Sequence, residues 1–217
     1  MANVLVIGAH GRVGHRIVEQ LIAADQNVFA GYRDENQFET TPVSDRCTPV
    51  LFDLDMETKK MVALMTDYKI DQVIFTAGAG GKGGDARTTQ VDLDGAVKTM
   101  EATKQAGLKR YLMVSAAGAD DRNVWVASGI YTYFMMKHYA DMVLQDSDLD
   151  YTILRPTTLT DDAGAGSIQV LDQSREGASS VSRNDVAKMA VAALASDKAI
   201  KQVVEFTAGE TPIDRVF

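Results

Sequence analysis

Two features of this sequence have the residue types and spacing to do chemistry. Gly8-Ala9-His10-Gly11-Arg12-Val13-Gly14 places a glycine at every third position. Such a turn lets main-chain amides approach a ligand that a Cβ would hold off, and where it opens a helix the free N–H groups and the helix dipole attract phosphate. Tyr133 and Lys137 stand four apart, so on a helix they share a face, and an ammonium beside a phenol favours the phenolate. Ser115 could donate a hydrogen bond to an oxygen gaining negative charge while the tyrosine moves a proton. Tyr131 is a rival for Tyr133, although two residues along a helix do not share one side. His10 lies inside the turn, beside whatever binds there. With His15 and His138 as its only companions and a single cysteine, Cys47, the sequence offers neither a disulfide nor a spaced ligand set, and no metal is expected.

These residues need elements to position them, and the hydrophobic pattern supplies an alternation of short strands and helices. Val4–Ile7 predicts the first strand and Arg12–Ala24 the first helix, so the glycine turn falls between them. Val28–Ala30, Val50–Phe52 and Gln72–Phe75 read as strands two to four, with a helix over Met56–Met65. Ala86–Ala106 predicts one long helix capped by Gly107. Tyr111–Val114 ends at Ser115, Ile130–Gln145 is the helix carrying Tyr133 and Lys137, and Tyr151–Leu154 is a sixth strand with Pro156 just past its end. The alternation then lapses into Thr, Asp, Gly and Ser with one strand-like run at Ile168–Leu171. Asn184–Ala195 resumes as a helix, and Val203–Phe206 predicts a last strand. The fold expected is α/β: a doubly wound, mainly parallel sheet of the Rossmann type in three α/β/α layers. Residues 1–217 form one dinucleotide-binding domain in this reading, with 156–182 as a small substrate-side lid.

In that frame the residues after the second strand choose between nucleotides. Tyr32-Arg33 stands where an NAD-preferring domain has an acid, and a guanidinium there can pair with a 2′-phosphate, with Arg12 as a second charge. Asp34 and Glu35 argue the other way, so NADP is favoured and NAD stays possible. Asp53-Leu54 follows the third strand, where a carboxylate could accept from an adenine amino group or merely add solubility. Thr76–Gly80 follows the fourth strand at the carboxyl edge of the sheet, where small residues let a cofactor lie against backbone. Met135, Met136, Tyr131, Phe134 and Tyr139 either border an aromatic substrate or pack the helix, and Trp125 reads as a pocket wall or an interface anchor.

The 217 residues carry a formal net charge of −8 with 46% hydrophobic and 24% charged residues. That balance disfavours nucleic-acid or anionic-membrane binding, either of which needs a basic footprint. The short apolar start, stopped at Gly8, reads as a strand rather than a leader, and no apolar run suits a membrane span. The expectation is a cytoplasmic protein, monomer or homodimer, whose partner is a small-molecule substrate.

Taken together, the glycine turn, Ser115, Tyr133 with Lys137, Leu154-Arg155-Pro156 and Val181-Ser182-Arg183-Asn184-Asp185-Val186-Ala187 resemble the atypical short-chain dehydrogenase/reductase family. The subgroup is the small NAD(P)-binding proteins of NmrA-like and flavin/biliverdin-reductase-like type, and the resemblance runs from Met1 to about Phe206. It implies that Gly8, Gly11, Arg12, Val13, Gly14 and Arg33 hold phosphates, with His10 alongside. Asp53 and Leu54 would meet the adenine, Ala77 and Gly78 the adenosine ribose, and Lys137 the nicotinamide ribose. The activity implied is NAD(P)H-dependent reduction of a carbonyl, quinone or flavin-like acceptor with Tyr133, Lys137 and Ser115 as catalytic residues. A non-catalytic protein that senses NAD(P) is the reading from another class, and a nucleotide-sugar epimerase or dehydratase is a third, for which the region after Pro156 is short.

Overall fold

The computed structural model describes Met1–Phe217 throughout. Seven strands run parallel: β1 (Asn3–Ile7), β2 (Asn27–Tyr32), β3 (Cys47–Leu51), β4 (Gln72–Phe75), β5 (Arg110–Val114), β6 (Asp150–Pro156) and, later in the chain, β10 (Gln202–Ala208). β7 (Thr158–Thr160) and β9 (Ser180–Ser182) form a separate parallel pair. β8 (Ser167–Val170) lies antiparallel against β10, and β11 (Thr211–Pro212) against β8. The nine-stranded order is β11-β8-β10-β6-β5-β4-β1-β2-β3. Chain order reverses between β1 and β4, which opens a crevice at their carboxyl ends. Each edge strand contains a proline, Pro49 in β3 and Pro212 in β11.

Strand side chains alternate between faces, and β1 shows how this builds two cores. Val4 and Val6 join a cluster beneath α1 (Arg12–Ala23) and α7 (Arg183–Leu194). Leu5 and Ile7 join the cluster on the opposite face, shared by α2 (Thr58–Asp67), α4 (Ala96–Gln105) and α6 (Tyr131–Gln145). Helix, sheet and helix therefore make three layers, the doubly wound arrangement expected. No helix is long and apolar enough to cross a membrane.

The structure departs from the expected elements at three places. The single helix over Ala86–Ala106 is α3 (Gly84–Thr88), a π-helical turn over Thr89–Gly95, and α4, ending at Gly107 with φ +77°. A 3.6-residue period does not reveal the extra residue that a π turn absorbs. Pro156 is the last residue of β6 rather than the residue beyond it, and its carbonyl accepts from Ala117 N at 2.9 Å. The strand-like run at Ile168–Leu171 belongs to the central sheet as β8, paired with β10.

Trp125 needs a larger correction, because it sits neither in a loop nor at a pocket wall or interface. It lies on α5 (Arg122–Ser128), started by Asp121, whose side chain accepts from Asn123 N at 2.9 Å. The indole is 1% exposed, and its Nε1 donates to the carbonyls of Gly118 at 3.2 Å and Ala119 at 3.1 Å. Its ring meets Tyr131 edge-on at 5.5 Å and His138 at 5.0 Å, fixing α5 against the start of α6. Trp125→Phe keeps an aromatic ring but removes the indole hydrogen bond to these carbonyls, of which Gly118 still accepts from Asp121 N at 3.1 Å, so a loss of about 1 kcal/mol is expected in urea unfolding.

Candidate functional site: a nucleotide cavity beside a buried lysine

The glycine turn forms as its spacing predicts, and contact distances show why glycine is required. Gly8 has φ +91°, and a Cβ there would lie 2.8 Å from Ala77 N. A Cβ on Gly14 would lie 2.2 Å from the Gly8 carbonyl oxygen and 2.8 Å from Thr76 Oγ1. Gly11 caps α1 without a side chain, so the first-turn amides are left uncovered at the carboxyl edge of the sheet.

A cavity of about 300 Å³ opens at this turn, lined by Gly8, His10, Gly11, Arg33, Asp53, Leu54, Ala77 and Gly78 among the expected residues. Residues that the sequence did not single out complete it: Gln37, Lys82 and Arg87 add polar groups, and Phe52 and Val91 add apolar wall. Arg33 is exposed and forms no ion pair within the chain. Asp34, the acid that argues against a phosphate at this point, instead caps the short turn over Glu35–Thr40 by accepting from Asn36 N at 2.9 Å. Asp53 Oδ1 accepts from Asp55 N at 3.1 Å. His10 Nδ1 lies 3.3 Å from Thr40 Oγ1.

Four expected cofactor contacts do not line this cavity. Arg12 reaches away to Asp161 at 2.6 Å, where Arg16 at 3.4 Å and Arg183 at 3.1 Å converge on the same carboxylate. Val13 packs half-buried against the core, and Gly14 is taken up by helix-on-turn packing. Lys137, the nicotinamide-side expectation, lies deeper.

The helix α6 presents Tyr133, Lys137 and Asp141 at intervals of four along its inward side. Lys137 Nζ is 3.0 Å from Asp92 Oδ1, 3.4 Å from the Val114 carbonyl and 5.8 Å from the centre of the Tyr133 ring. It therefore links Tyr133 to the strand end that carries Ser115. Burial pulls the Lys137 ammonium down, but Asp92 and its other neighbours outweigh that and leave its pKa raised. The Tyr133 pKa is also raised, first by burial, with Lys137 opposing and Asp92 and Asp141 adding to it. Lys137 favours the phenolate in the expected direction, but burial of the hydroxyl outweighs it.

Tyr133 borders a second cavity, of about 540 Å³, which meets the first at Ala79. Tyr131 borders it too. The argument that separate helix faces distinguish the two tyrosines fails here, because the cavity lies over the end of α6 rather than along one side. A third hollow, of about 470 Å³ beside α6 and β10, contains none of the expected residues. Arg175 crosses it to pair with Asp120 at 2.9 Å, Asp121 at 3.0 Å and Glu205.

Ser115 is 5% exposed at the end of β5. Its Oγ and Asp141 Oδ1 are sealed from solvent and outside good hydrogen-bond geometry, yet near enough for the hydroxyl to favour the Asp141 carboxylate. Asp141 Oδ2 accepts from Arg155 Nε at 2.8 Å, and Arg155 also reaches Asp120 at 2.8 Å. Asp92 and Asp141 are the polar residues of this centre that sequence reading missed, while Arg155 entered it only as part of the Leu154-Arg155-Pro156 motif. The one available signal was a charged side chain at an apolar, inward-facing position.

A parallel sheet with a bare glycine turn at its switch point, opening into a cation-lined cavity, defines a nucleotide-binding α/β protein. A family model described as NAD(P)H-binding matches residues 8–197. The chain belongs to that family, within the atypical short-chain dehydrogenase/reductase group that its motifs resemble. A Bacillus subtilis relative named uncharacterized sugar epimerase YhfK is 37% identical over 212 residues, covering 97% of this chain and 96% of its own. The solved oxidoreductase ylbE from Lactococcus lactis matches with a TM-score of 0.87 at 30% identity, over 97% of this chain and 93% of that one. A short-chain dehydrogenase/reductase from Veillonella parvula, solved in complex with NADP, shares the fold at a TM-score of 0.78 and 19% identity, over 100% and 99% of the two chains.

Asp141 gives stability a pH dependence of its own. Burial lifts its carboxyl from the ordinary 3.8 to about 6, against the opposing pull of Arg155. Because the folded value is the higher one, the native state holds this proton more tightly. The contribution is fully present below about pH 4 and is lost as pH rises through about 6. Urea titrations should show the stability difference between wild type and Asp141→Asn falling by on the order of 2 kcal/mol from pH 4 to pH 7.

Proposed function

We propose that this protein is an NADPH-preferring oxidoreductase that reduces a carbonyl, quinone or flavin-like acceptor. The observation that carries the reading is Arg33: unpaired, at the carboxyl end of β2, and on the wall of the cavity that the glycine turn opens. Its neighbouring acid Asp34 is occupied by capping, while Lys82 and Arg87 line the same cavity, so a 2′-phosphate would meet cations there. The residues fit the nucleotide, since Gly11 leaves the first-turn amides of α1 without a side-chain cap and lines the same open cavity as Arg33. In this reading Gly8, Gly11 and the first-turn amides of Arg12, Val13 and Gly14 hold the pyrophosphate, with His10 at its side. Asp53 and Leu54 face the adenine, and Ala77 and Gly78 the adenosine ribose.

When bound, NADPH supplies the hydride. The Tyr133 hydroxyl donates a proton to the acceptor oxygen as negative charge develops there, and Lys137 stabilises the phenolate left behind. Ser115, buried and without a good partner of its own, offers a second hydrogen bond to that oxygen. For a flavin or quinone, positioning alone suffices and water supplies protons. Residues 1–217 act as one domain, with 156–182 covering the acceptor side, and the protein works in the cytoplasm as a monomer or homodimer.

The name of the Bacillus subtilis relative supports a second reading, an epimerase that keeps its nucleotide bound through the cycle. Purification separates the two: an epimerase retains dinucleotide through gel filtration, whereas the oxidoreductase exchanges it. A sensor without chemistry would bind NADPH tightly and oxidise none across a panel of carbonyls, quinones and flavins followed at 340 nm.

By calorimetry, Arg33→Ala should weaken NADPH about tenfold or more and leave NADH nearly unchanged; equal losses would remove the case for the 2′-phosphate. Tyr133→Phe should slow carbonyl reduction about a hundredfold in steady-state assays while NADPH affinity stays intact.

A further inference from the structure

We propose that Arg12, Arg16 and Arg183 form a binding site for the phosphate group of a small molecule other than the dinucleotide, and that Asp161 fills this site from within the chain until such a group displaces it. Setting a second ligand beside the first rests on the reading of the glycine-turn cavity as the nucleotide's.

Three guanidinium groups meet on one carboxylate. Asp161 Oδ2 accepts from Arg12 at 2.6 Å, and Oδ1 lies 3.1 Å from Arg183 and 3.4 Å from Arg16. One negative charge set against three positive ones leaves an excess of cation, in a chain whose formal net charge is −8. Asp162, next in sequence, is exposed and pairs with none of the three.

Stability does not account for this arrangement. Arg12 and Arg183 are the first residues of α1 and α7, where the helix dipole is positive and an acid is the favoured residue. α1 has no acid in its first turn, and Gly11 gives it no side-chain cap. Like charges gathered at two positive helix ends cost energy unless an anion meets them. Asp161 is such an anion, but its two oxygens are already divided among three cations. A phosphate ester brings three acceptor oxygens, one for each guanidinium, and about two negative charges.

The site is open to a ligand. Arg12 and Asp161 are exposed, while Arg16 and Arg183 are half-buried, and Arg16 is fixed further by donating to the Arg12 carbonyl at 2.7 Å. None of the four residues lines the nucleotide cavity, so a dinucleotide held there by main-chain amides does not call on these arginines. Gly11 does line it, which puts the arginine cluster next to that cavity rather than in it. Asp161 directly follows β7, in the segment that leaves the carboxyl end of β6, the edge of the sheet at which α/β proteins take ligands. The ligand class that fits is a small phosphate ester bound alongside the dinucleotide.

The test is calorimetric titration of the full chain with inorganic phosphate at constant ionic strength, with and without saturating NADPH. Wild type should take up phosphate weakly because Asp161 competes for the arginines, and Asp161→Asn should bind it about tenfold tighter or more in both conditions. Arg16→Gln should weaken phosphate about fivefold or more. Equal affinity in wild type and Asp161→Asn overturns Asp161 as the occupant, and affinity untouched by Arg16→Gln overturns the site, as does absence of uptake by the folded proteins. Loss of phosphate binding on saturation with NADPH assigns the arginines to the dinucleotide's own phosphates and overturns the second ligand. If Asp161→Asn does not fold, Arg16→Gln against wild type still decides. No uptake of NADPH refutes the nucleotide reading alone, since the titration of the unliganded protein still shows whether the arginines hold phosphate.

Discussion

The closeness of Gly14 to the Gly8 carbonyl is the constraint on which the rest of the molecule depends. With no side chain between them, α1 settles onto the turn leaving β1 and its amino end comes to bear on the crevice between β1 and β4. Replacing either glycine would push backbone against backbone, and no rotamer relieves that kind of contact. The cavity, the uncovered first-turn amides and the position of Arg33 across from them all follow from how near helix and strand can come.

A second centre lies on the other side of the switch point and is built on different physics. Lys137, Asp92, Asp141 and Arg155 are ionic side chains sunk among apolar neighbours, and taking such charges out of water offsets most of what their attraction returns. They are better understood as devices for placing groups than as sources of stability. Each holds two elements at once: Asp92 the π turn and α6, Asp141 α6 and β6. The short helix α5, pinned by its indole, completes the support for the first turn of α6.

Much of the architecture was legible in the sequence because it rests on local rules. The alternation of β1 with α1, the glycines at fixed offsets and the cap at Gly107 need no knowledge of distant residues. That Arg33, Asp53 and Ala77 would share one cavity wall was legible for the same reason, since each follows a strand end. What escaped depends on contacts across the chain. Asp92 looks like a surface acid until a π turn rotates it inward, and Arg12 looks like a dinucleotide ligand until a loop about 150 positions later brings Asp161 beside it. The charge of Lys137 was readable, but not that another element would pair with it. The helix over Arg122–Ser128 was not expected, because seven residues are too few to show a helical period.

The prolines at the two margins of the sheet have a consequence for assembly. An outermost strand is a template on which another chain can add, and Pro49 on one side and Pro212 on the other each remove a donor from that template. β11 is moreover only two residues long. Continuous ladders between copies are thereby discouraged at both margins, which leaves the helical faces as the surfaces where another chain could pack without extending the sheet.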